Sequence, residues 1–186
     1  MIISQPKKGH LLISEPSIMG DLSFNRSVIL LSDHTAEGSI GFILNKPLEY
    51  KLKDLVPESN SDFQVYNGGP VEQDNLYFIH KVPEMIPGSI EISLGIYWGG
   101  DFDTVLELMQ SNKIDQSQIL FFLGYSGWEP NQLVDELENN SWVISENKYQ
   151  HELISKCSDS FWKENMLNLG GEYSIWSNAP EDPTFN

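Results

Sequence analysis

Residues 119–128 read ILFFLGYSGW, and the rest of the chain is expected to be arranged around this stretch. Residues 119–123 form a continuous apolar run of the length that buried strands have, so we predict that they are the central strand of a sheet. The two glycines of the second half favour a turn over residues 124–128. Pro130 follows at a position typical of a helix start. The predicted order is therefore strand, glycine turn, helix.

Short apolar runs that precede this stretch are predicted to be strands: residues 11–13, 28–31, 40–44, 63–66, 76–79 and 90–94. The first two are bounded by Gly, Pro, Asp or Ser, as buried strands commonly are. The link at residues 34–38 has the length and glycine content of a hairpin connection, so an antiparallel pair is expected there. In the last run Ile90, Ile92 and Leu94 alternate with polar residues, which predicts one buried and one wet face.

Helices are predicted in the second half of the chain. Residues 102–111 carry apolar side chains at helical spacing behind Asp101, which is a suitable N-cap. A last helix is marked by apolar residues from Phe161 onward and is expected to end at Gly170-Gly171. Residues 142–144 are predicted to form a further strand. We therefore predict an α+β fold with a mainly antiparallel sheet, in one domain covering residues 1–186.

The charge balance excludes one broad class of function. The formal net charge is −16, from 11 basic and 27 acidic residues. Direct binding of DNA or RNA through phosphates needs clustered Lys and Arg, so no direct nucleic-acid partner is expected. The single cysteine, Cys157, suits a reducing compartment. The sequence shows neither a signal-peptide pattern nor an apolar run long enough to span a bilayer, so we expect a cytoplasmic protein without a membrane partner.

Motifs spread along most of the chain occur in the order typical of one protein family. They are Gly9-His10-Leu11-Leu12-Ile13-Ser14-Glu15-Pro16, Asp21, Phe24, Arg26-Ser27-Val28, His34, Gly38, Gly41, Asn45-Lys46-Pro47, Gly68-Gly69-Pro70-Val71, His80, Gly124-Tyr125-Ser126-Gly127-Trp128, Gln132-Leu133, Glu136 and Trp142. In this set and order the sequence resembles the YqgE/AlgH family. It departs at Asn131, where the family usually has glycine.

The resemblance implies a compact α+β fold with a small closed or nearly closed β-barrel and flanking helices. It implies no settled activity, although members of the family are often labelled as transcriptional regulators. The acidic balance of this chain argues against regulation by direct DNA contact.

The glycine-rich stretch at residues 124–128 invites comparison with the nucleophile elbow G-x-S-x-G. The elbow requires a small residue two positions after the serine, and Trp128 occupies that position. We therefore interpret Ser126 as part of a structural turn whose Tyr125 and Trp128 anchor the following helix. Gln132, from the family pattern, is added to the candidate binding residues.

Asp21, Arg26 and Asn45 lie close to predicted strand or turn boundaries. One interpretation is structural, with an Asp21–Arg26 pair and Asn45 capping a turn through its own backbone. The other is a shared pocket in which Arg26 receives an anionic group and Asn45 orients it.

His34 and His80 each lie near a strand end. With Asp21 and Arg26 they suggest an alternative function, an enzyme of unassigned class such as a hydrolase. The histidines do not have the close spacing of metal ligands, so hydrogen-bonded structural histidines are expected and no metal is predicted.

Gly68 and Gly69 indicate a tight turn or a close backbone approach, with an anion-binding nest of exposed amides as the alternative. No nucleotide-binding glycine motif occurs, so no cofactor is predicted. Trp98, next to Tyr97, is a core residue, part of a groove wall or part of a partner surface. The leading hypothesis is a non-catalytic binding or regulatory protein whose partner is an unknown protein or small molecule.

Overall fold

The structure is a computed structural model that describes residues 5–16 and 23–180. Its strands are β1 Leu11–Ser14, β2 Val28–Thr35, β3 Gly38–Ile43, β4 Pro47–Lys51, β5 Gln64–Asn67, β6 Val71–His80, β7 Ile90–Ser93, β8 Ile96–Trp98, β9 Ile119–Trp128 and β10 Trp142–Ser145. Its α-helices are α1 Leu52–Leu55, α2 Phe102–Gln110, α3 Gln132–Glu138, α4 Leu153–Lys156, α5 Phe161–Leu169 and α6 Glu172–Trp176. The predicted α+β class is confirmed.

The strands form one large sheet in the order β10-β1-β2-β3-β9-β6-β8-β7, with β4 and β5 as a side branch. All pairings are antiparallel among the described residues except that of β5 with β9, which is parallel. The first and last strands of the path, β10 and β7, do not pair with each other. The expected closed or nearly closed barrel is therefore wrong, because the sheet keeps two separate edges.

Strand β9 is the central strand, as the apolar run predicts. On one side it pairs with β6 along most of its length. On the other side it pairs with β5 through residues 121–123 and with β3 through residues 126–128. We call this change of partner the fork. Because β9 continues through the fork, the predicted turn at residues 124–128 is wrong, and the two glycines of this stretch lie inside a strand.

The predicted hairpin between β2 and β3 is confirmed, with Thr35 paired to Gly38. Strand β1 pairs with β2 and also with the distant β10, in the register Leu11 to Ser145. The alternation predicted for β7 fails because a bulge interrupts its register with β8. Ile92 is buried whereas Ile90 and Leu94 are exposed.

Helices cover both faces of the sheet. Along β1, Leu11 and Ile13 belong to a core cluster that includes residues of α4 and α5, while Leu12 belongs to a cluster that includes Leu133 of α3. A third cluster packs α2 against β5, β6 and β9. The Asp101 side chain accepts from the Thr104 amide and so caps α2 as predicted. Helix α3 begins at Gln132 rather than at Pro130.

Candidate functional site

A cavity of about 390 Å³ opens where the segment before β2, the segment after β3 and the start of α5 meet. Its lining is Asn25, Arg26, Asn45, Lys46, Asp159, Ser160, Trp162 and Lys163. We call it the Arg26 cavity. Two of the predicted site residues, Arg26 and Asn45, lie together in it, as the pocket interpretation requires.

Arg26 is held in the cavity by contacts on two sides. Its guanidinium carbon lies 5.0 Å from the ring centroid of Trp162, a cation–π distance. Its Nη2 donates to the carbonyl oxygen of Ala179 at 2.6 Å. Its backbone has a φ of 50°, a left-handed conformation that is uncommon for arginine. The side chain is therefore fixed by its surroundings before any ligand arrives.

Asn45 holds the segment that carries Arg26. Its Oδ1 accepts from the Val28 amide at 2.9 Å, and its Nδ2 donates to the Arg26 carbonyl at 2.8 Å. The side chain is 5% exposed. Asn45 therefore fixes a neighbouring chain segment and does not cap its own turn. Asn45 would therefore influence a bound molecule only indirectly, through the position of Arg26.

The charges around the cavity contrast with the rest of the molecule. Arg26 is the only arginine of a chain whose net charge is −16. Lys46 and Lys163 line the same cavity, and among the described residues Asp159 is its one acidic lining residue. Lys46 Nζ donates to the Ser23 carbonyl at 2.8 Å. No salt bridge joins Arg26 or Lys163 to a carboxylate within residues 5–16 and 23–180.

Trp162 forms the buried wall of the cavity. Its Nε1 donates to the Ser14 carbonyl at 3.0 Å, and the residue is 3% exposed. Trp162 and Lys163 belong to the first turn of α5, where backbone amides have no intrahelical acceptor. This part of the wall is thus formed by a buried ring, an ammonium group and the amide-rich start of a helix.

Gly68 and Gly69 lie at the fork, where two backbones approach closely. A Cβ on Gly68 would lie 2.2 Å from the Gly124 carbonyl oxygen. The Gly68 amide donates to the Leu123 carbonyl at 2.8 Å, and the Gly69 amide donates to Asn67 Oδ1 at 3.0 Å. The close approach is confirmed. The anion-binding nest is wrong, because both amides already have acceptors inside the protein.

Ser126 also belongs to the fork. It is fully buried, and its Oγ donates to the Gly68 carbonyl at 3.1 Å. It is therefore a structural residue, although in a strand and not in the predicted turn. Tyr125 packs edge-on against Tyr77, with ring centroids 5.7 Å apart.

The two candidate histidines lie at opposite ends of β9. His80 pairs with Ile119, whereas Ser39, the cross-strand partner of His34, pairs with Trp128. These ends are nine residue steps apart along β9, which is roughly 30 Å at about 3.3 Å per step. The described structure therefore does not bring His34 and His80 together. Asp21, the third member of the hydrolase alternative, lies outside the described residues.

Both histidine rings have local partners. His80 is fully buried, its Nε2 lies 3.1 Å from the Gly99 carbonyl, and its Nδ1 accepts from the Val82 amide at 3.3 Å. This arrangement suits the neutral ring, and burial lowers the pKa of His80. His34 Nδ1 lies 2.7 Å from Ser39 Oγ.

Trp128 and Gln132 belong to a different cluster. Phe24, Trp128 and Trp142 pack together as what we call the tryptophan cluster. Both indole N–H groups donate to Glu136 Oε2, at 2.9 and 2.7 Å, and Gln132 Nε2 donates to Oε1 at 2.9 Å. Glu136 therefore joins α3 to the sheet through its two hydrogen bonds with the tryptophans, and the Gln132 bond lies within the helix.

Trp98 lies on β8, opposite Ile90 in the sheet register. It is 36% exposed, and Ile90 and Leu94 are both 51% exposed. Trp98 is therefore a partly exposed residue near the β7 edge and is remote in the topology from the segments around the Arg26 cavity.

Several cavity residues were not among the predicted site residues. Lys46 stands in the Asn45-Lys46-Pro47 motif, which could have pointed to it. Asp159, Trp162 and Lys163 have no local signal, because they meet Arg26 only through the packing of α5 on the sheet.

The described residues also bear on metal binding and on membrane insertion. They contain no group of three or more His, Cys, Asp or Glu side chains placed to hold a metal ion. None of their helices is long and apolar enough to cross a membrane.

The fold and the cavity define an α+β protein with an open, mainly antiparallel sheet and a pocket at the start of α5 whose described lining includes Arg26, Lys46 and Lys163. The AlgH-like family model matches residues 11–174. A UPF0301 protein of Bacteroides thetaiotaomicron is 45% identical over 186 residues, covering 97% of this chain and 92% of the relative. A UPF0301 protein of Cytophaga hutchinsonii is 39% identical, with 96% and 98% covered. The chain belongs to the AlgH-like family.

Two solved structures are similar in fold. A crystal structure of a protein from Corynebacterium diphtheriae superposes with a TM-score of 0.76 at 20% identity, covering 96% of this chain and 95% of the other. The solution structure of the AlgH protein from Pseudomonas aeruginosa gives 0.71 at 26% identity, covering 97% and 98%. These structures agree in fold, and the family model and the two relatives confirm the expected family membership.

Proposed function

We propose that this protein is a binding protein that holds a small anionic ligand in the Arg26 cavity. One observation carries the proposal: the only arginine of a strongly acidic chain meets two lysines in a single cavity. An overall charge of −16 repels anions at long range, so a cluster of basic groups on such a surface is a specific feature. A guanidinium fork is well suited to bind a carboxylate or a phosphate.

The contacts of Arg26 support this role. Trp162 and Ala179 restrict the guanidinium, so less conformational entropy is lost when a ligand binds. Asn45 is a positioning residue, because it bonds the Arg26 carbonyl and the Val28 amide.

The proposal keeps part of the expectation that came with the family resemblance. A regulatory role would act through ligand occupancy and contact with another molecule, and the net charge argues against nucleic acid as that molecule. A cytoplasmic location and a single-domain organisation belong to the same proposal.

The test is a titration with citrate and with pyrophosphate at constant ionic strength, in which two-dimensional NMR monitors the backbone amides. We expect amide shifts centred on Arg26 and Lys163. Arg26→Gln, which keeps a donor for the Ala179 carbonyl, should weaken binding about tenfold or more, as expected for a lost charged hydrogen bond.

Lys113→Gln is the matched control, because it removes the same unit of charge at an exposed position that does not line the cavity. It should leave both affinities within about twofold. Equal weakening by Arg26→Gln and Lys113→Gln would show that only the overall charge matters and would refute the proposed site.

A further inference from the structure

Resting on the proposed function, we propose that residues 172–180 form a latch that closes on Arg26, and that a ligand of the Arg26 cavity stabilises the closed latch. The contact that couples the two is the hydrogen bond from Arg26 Nη2 to the Ala179 carbonyl, at 2.6 Å. Three features of residues 172–180 lead to this inference. They are a weak attachment to the core, a direct hold on Arg26 and a position outside the cavity.

The latch is only weakly attached to the core. Its helix α6 has no buried residue, and Ile175 and Trp176 are 74% and 50% exposed. Gly170 and Gly171 link it to α5 with φ values of 71° and 56°. No described atom lies within 4 Å of the position that a Cβ would take at either glycine. A segment with so few buried apolar contacts opens at a low cost in free energy.

Among the described residues, two side-chain hydrogen bonds hold the latch closed. The Tyr173 hydroxyl donates to Glu15 Oε1 at 2.9 Å, and Arg26 donates to the Ala179 carbonyl. Tyr173 also packs against one of the core clusters. A helix of five residues is not stable by itself in water, so α6 depends on this docking. Opening of the latch therefore unfolds α6, and the exchange of its amide hydrogens reports the opening.

The latch holds Arg26 from outside the cavity. Neither Ala179 nor any other residue of the latch lines the cavity. A guanidinium carries several N–H donors, so the bond to Ala179 leaves others free for a ligand. Because Ala179 restricts the guanidinium, the closed form loses less conformational entropy on binding and binds more tightly. By linkage, the ligand then favours the closed latch to the same extent.

The first test uses the protein without ligand. Arg26 is the only arginine, so its Nε–H group gives a single NMR signal whose heteronuclear NOE measures the mobility of the side chain. Tyr173→Phe removes the bond to Glu15 and should lower this NOE. It should also speed the hydrogen exchange of the α6 amides by roughly three- to tenfold, as expected for one lost hydrogen bond.

Tyr77→Phe is the matched control, because it removes a hydrogen bond from another half-buried tyrosine to a carboxylate, that of Glu72. Tyr77 lies on β6 and does not line the cavity. The control should change neither the NOE of Arg26 nor the exchange of α6. If Tyr173→Phe changes them no more than Tyr77→Phe does, the latch is refuted.

The second test adds pyrophosphate at about ten times its dissociation constant and constant ionic strength. Exchange of the α6 amides should slow by up to about tenfold. Faster exchange would show that the ligand takes Arg26 away from Ala179, and unchanged exchange would show that the two are not coupled. Either result would overturn this inference and leave the anion site in place. If neither pyrophosphate nor citrate binds, the proposed function and the coupling both fail, and the first test alone decides whether the latch holds Arg26.

Discussion

Replacing Glu136 with alanine should destabilise the protein through the two tryptophans that it serves. The indole N–H groups of Trp128 and Trp142 both donate to Glu136 Oε2. These residues are only 5% and 4% exposed, so water reaches their rings poorly. Alanine at position 136 leaves both indole donors without this acceptor and also removes the Gln132–Glu136 hydrogen bond within α3.

The size of the effect follows from those two donors. A buried donor left without a partner costs about 1–3 kcal/mol. Glu136 itself is only half-buried, so water entering from its outer side lowers the loss. We expect Glu136→Ala to reduce the free energy of unfolding by about 2–4 kcal/mol, a large fraction of the 5–15 kcal/mol that is typical of native proteins.

Glu136→Gln refines the prediction, because an amide oxygen can still accept from both indoles. The new NH₂ group then faces Gln132 Nε2, which is also a donor, so only the hydrogen bond with Gln132 is lost. We expect a smaller loss of about 1–2 kcal/mol. The assay is urea unfolding monitored by far-UV circular dichroism, which reports mainly on the backbone.

Glu138→Ala is the control for both variants, since Glu138 is an exposed residue of the same helix. It should change the free energy of unfolding by no more than about 0.5 kcal/mol. If Glu136→Ala is no more harmful than Glu138→Ala, the idea that the carboxylate satisfies the indoles is refuted.

Two further variants test the fork and the buried histidine. Gly68→Ala should destabilise the protein by about 1–3 kcal/mol because its Cβ meets the Gly124 carbonyl. In the same urea assay Gly127→Ala should be less destabilising, because its Cβ meets a tyrosine ring that can move. A larger loss for Gly127→Ala than for Gly68→Ala would contradict the steric explanation. Burial lowers the pKa of His80, so the unfolded chain binds the proton more readily and stability should fall as the pH drops below about 6.5. His80→Gln should reduce the slope of the free energy of unfolding against pH, measured by urea unfolding between about pH 5 and 7.5. The remaining slope includes the contribution of His10, whose pKa is also lowered. An unchanged slope would contradict the assignment to His80.

The elements that the sequence predicts correctly are those with a strong local pattern. The apolar run at residues 119–123, the hairpin before Gly38 and the Asp101 cap of α2 each depend on neighbouring residues. The predicted turn at residues 124–128 is wrong because glycine occurs both in turns and where two backbones approach closely. Here Gly124 allows β9 to pass close to Gly68 and Gly69, a requirement that arises from residues distant in the sequence.

The same distinction applies to the cavity. Arg26 and Asn45 were identified as pocket candidates because they stand at strand boundaries, and the structure brings them together. Lys163 follows 137 positions after Arg26, on a helix whose apolar pattern describes only its packing face. No local signal could assign its ammonium group to the cavity. The closed or nearly closed barrel was expected only from the family resemblance. It is wrong because β7 and β10 remain two separate edges of the sheet.

The pairing of β1 with β10 has a consequence for how the chain is made. Residues 11–14 leave the ribosome early, but their partners at residues 142–145 are synthesised roughly ten seconds later at the usual 5–20 residues per second. During that interval β1 can pair only with β2, and its other edge is an exposed row of backbone groups beside apolar side chains. The nascent chain is therefore most prone to aggregation before translation ends, and this half of the sheet is completed only after residue 145 has emerged.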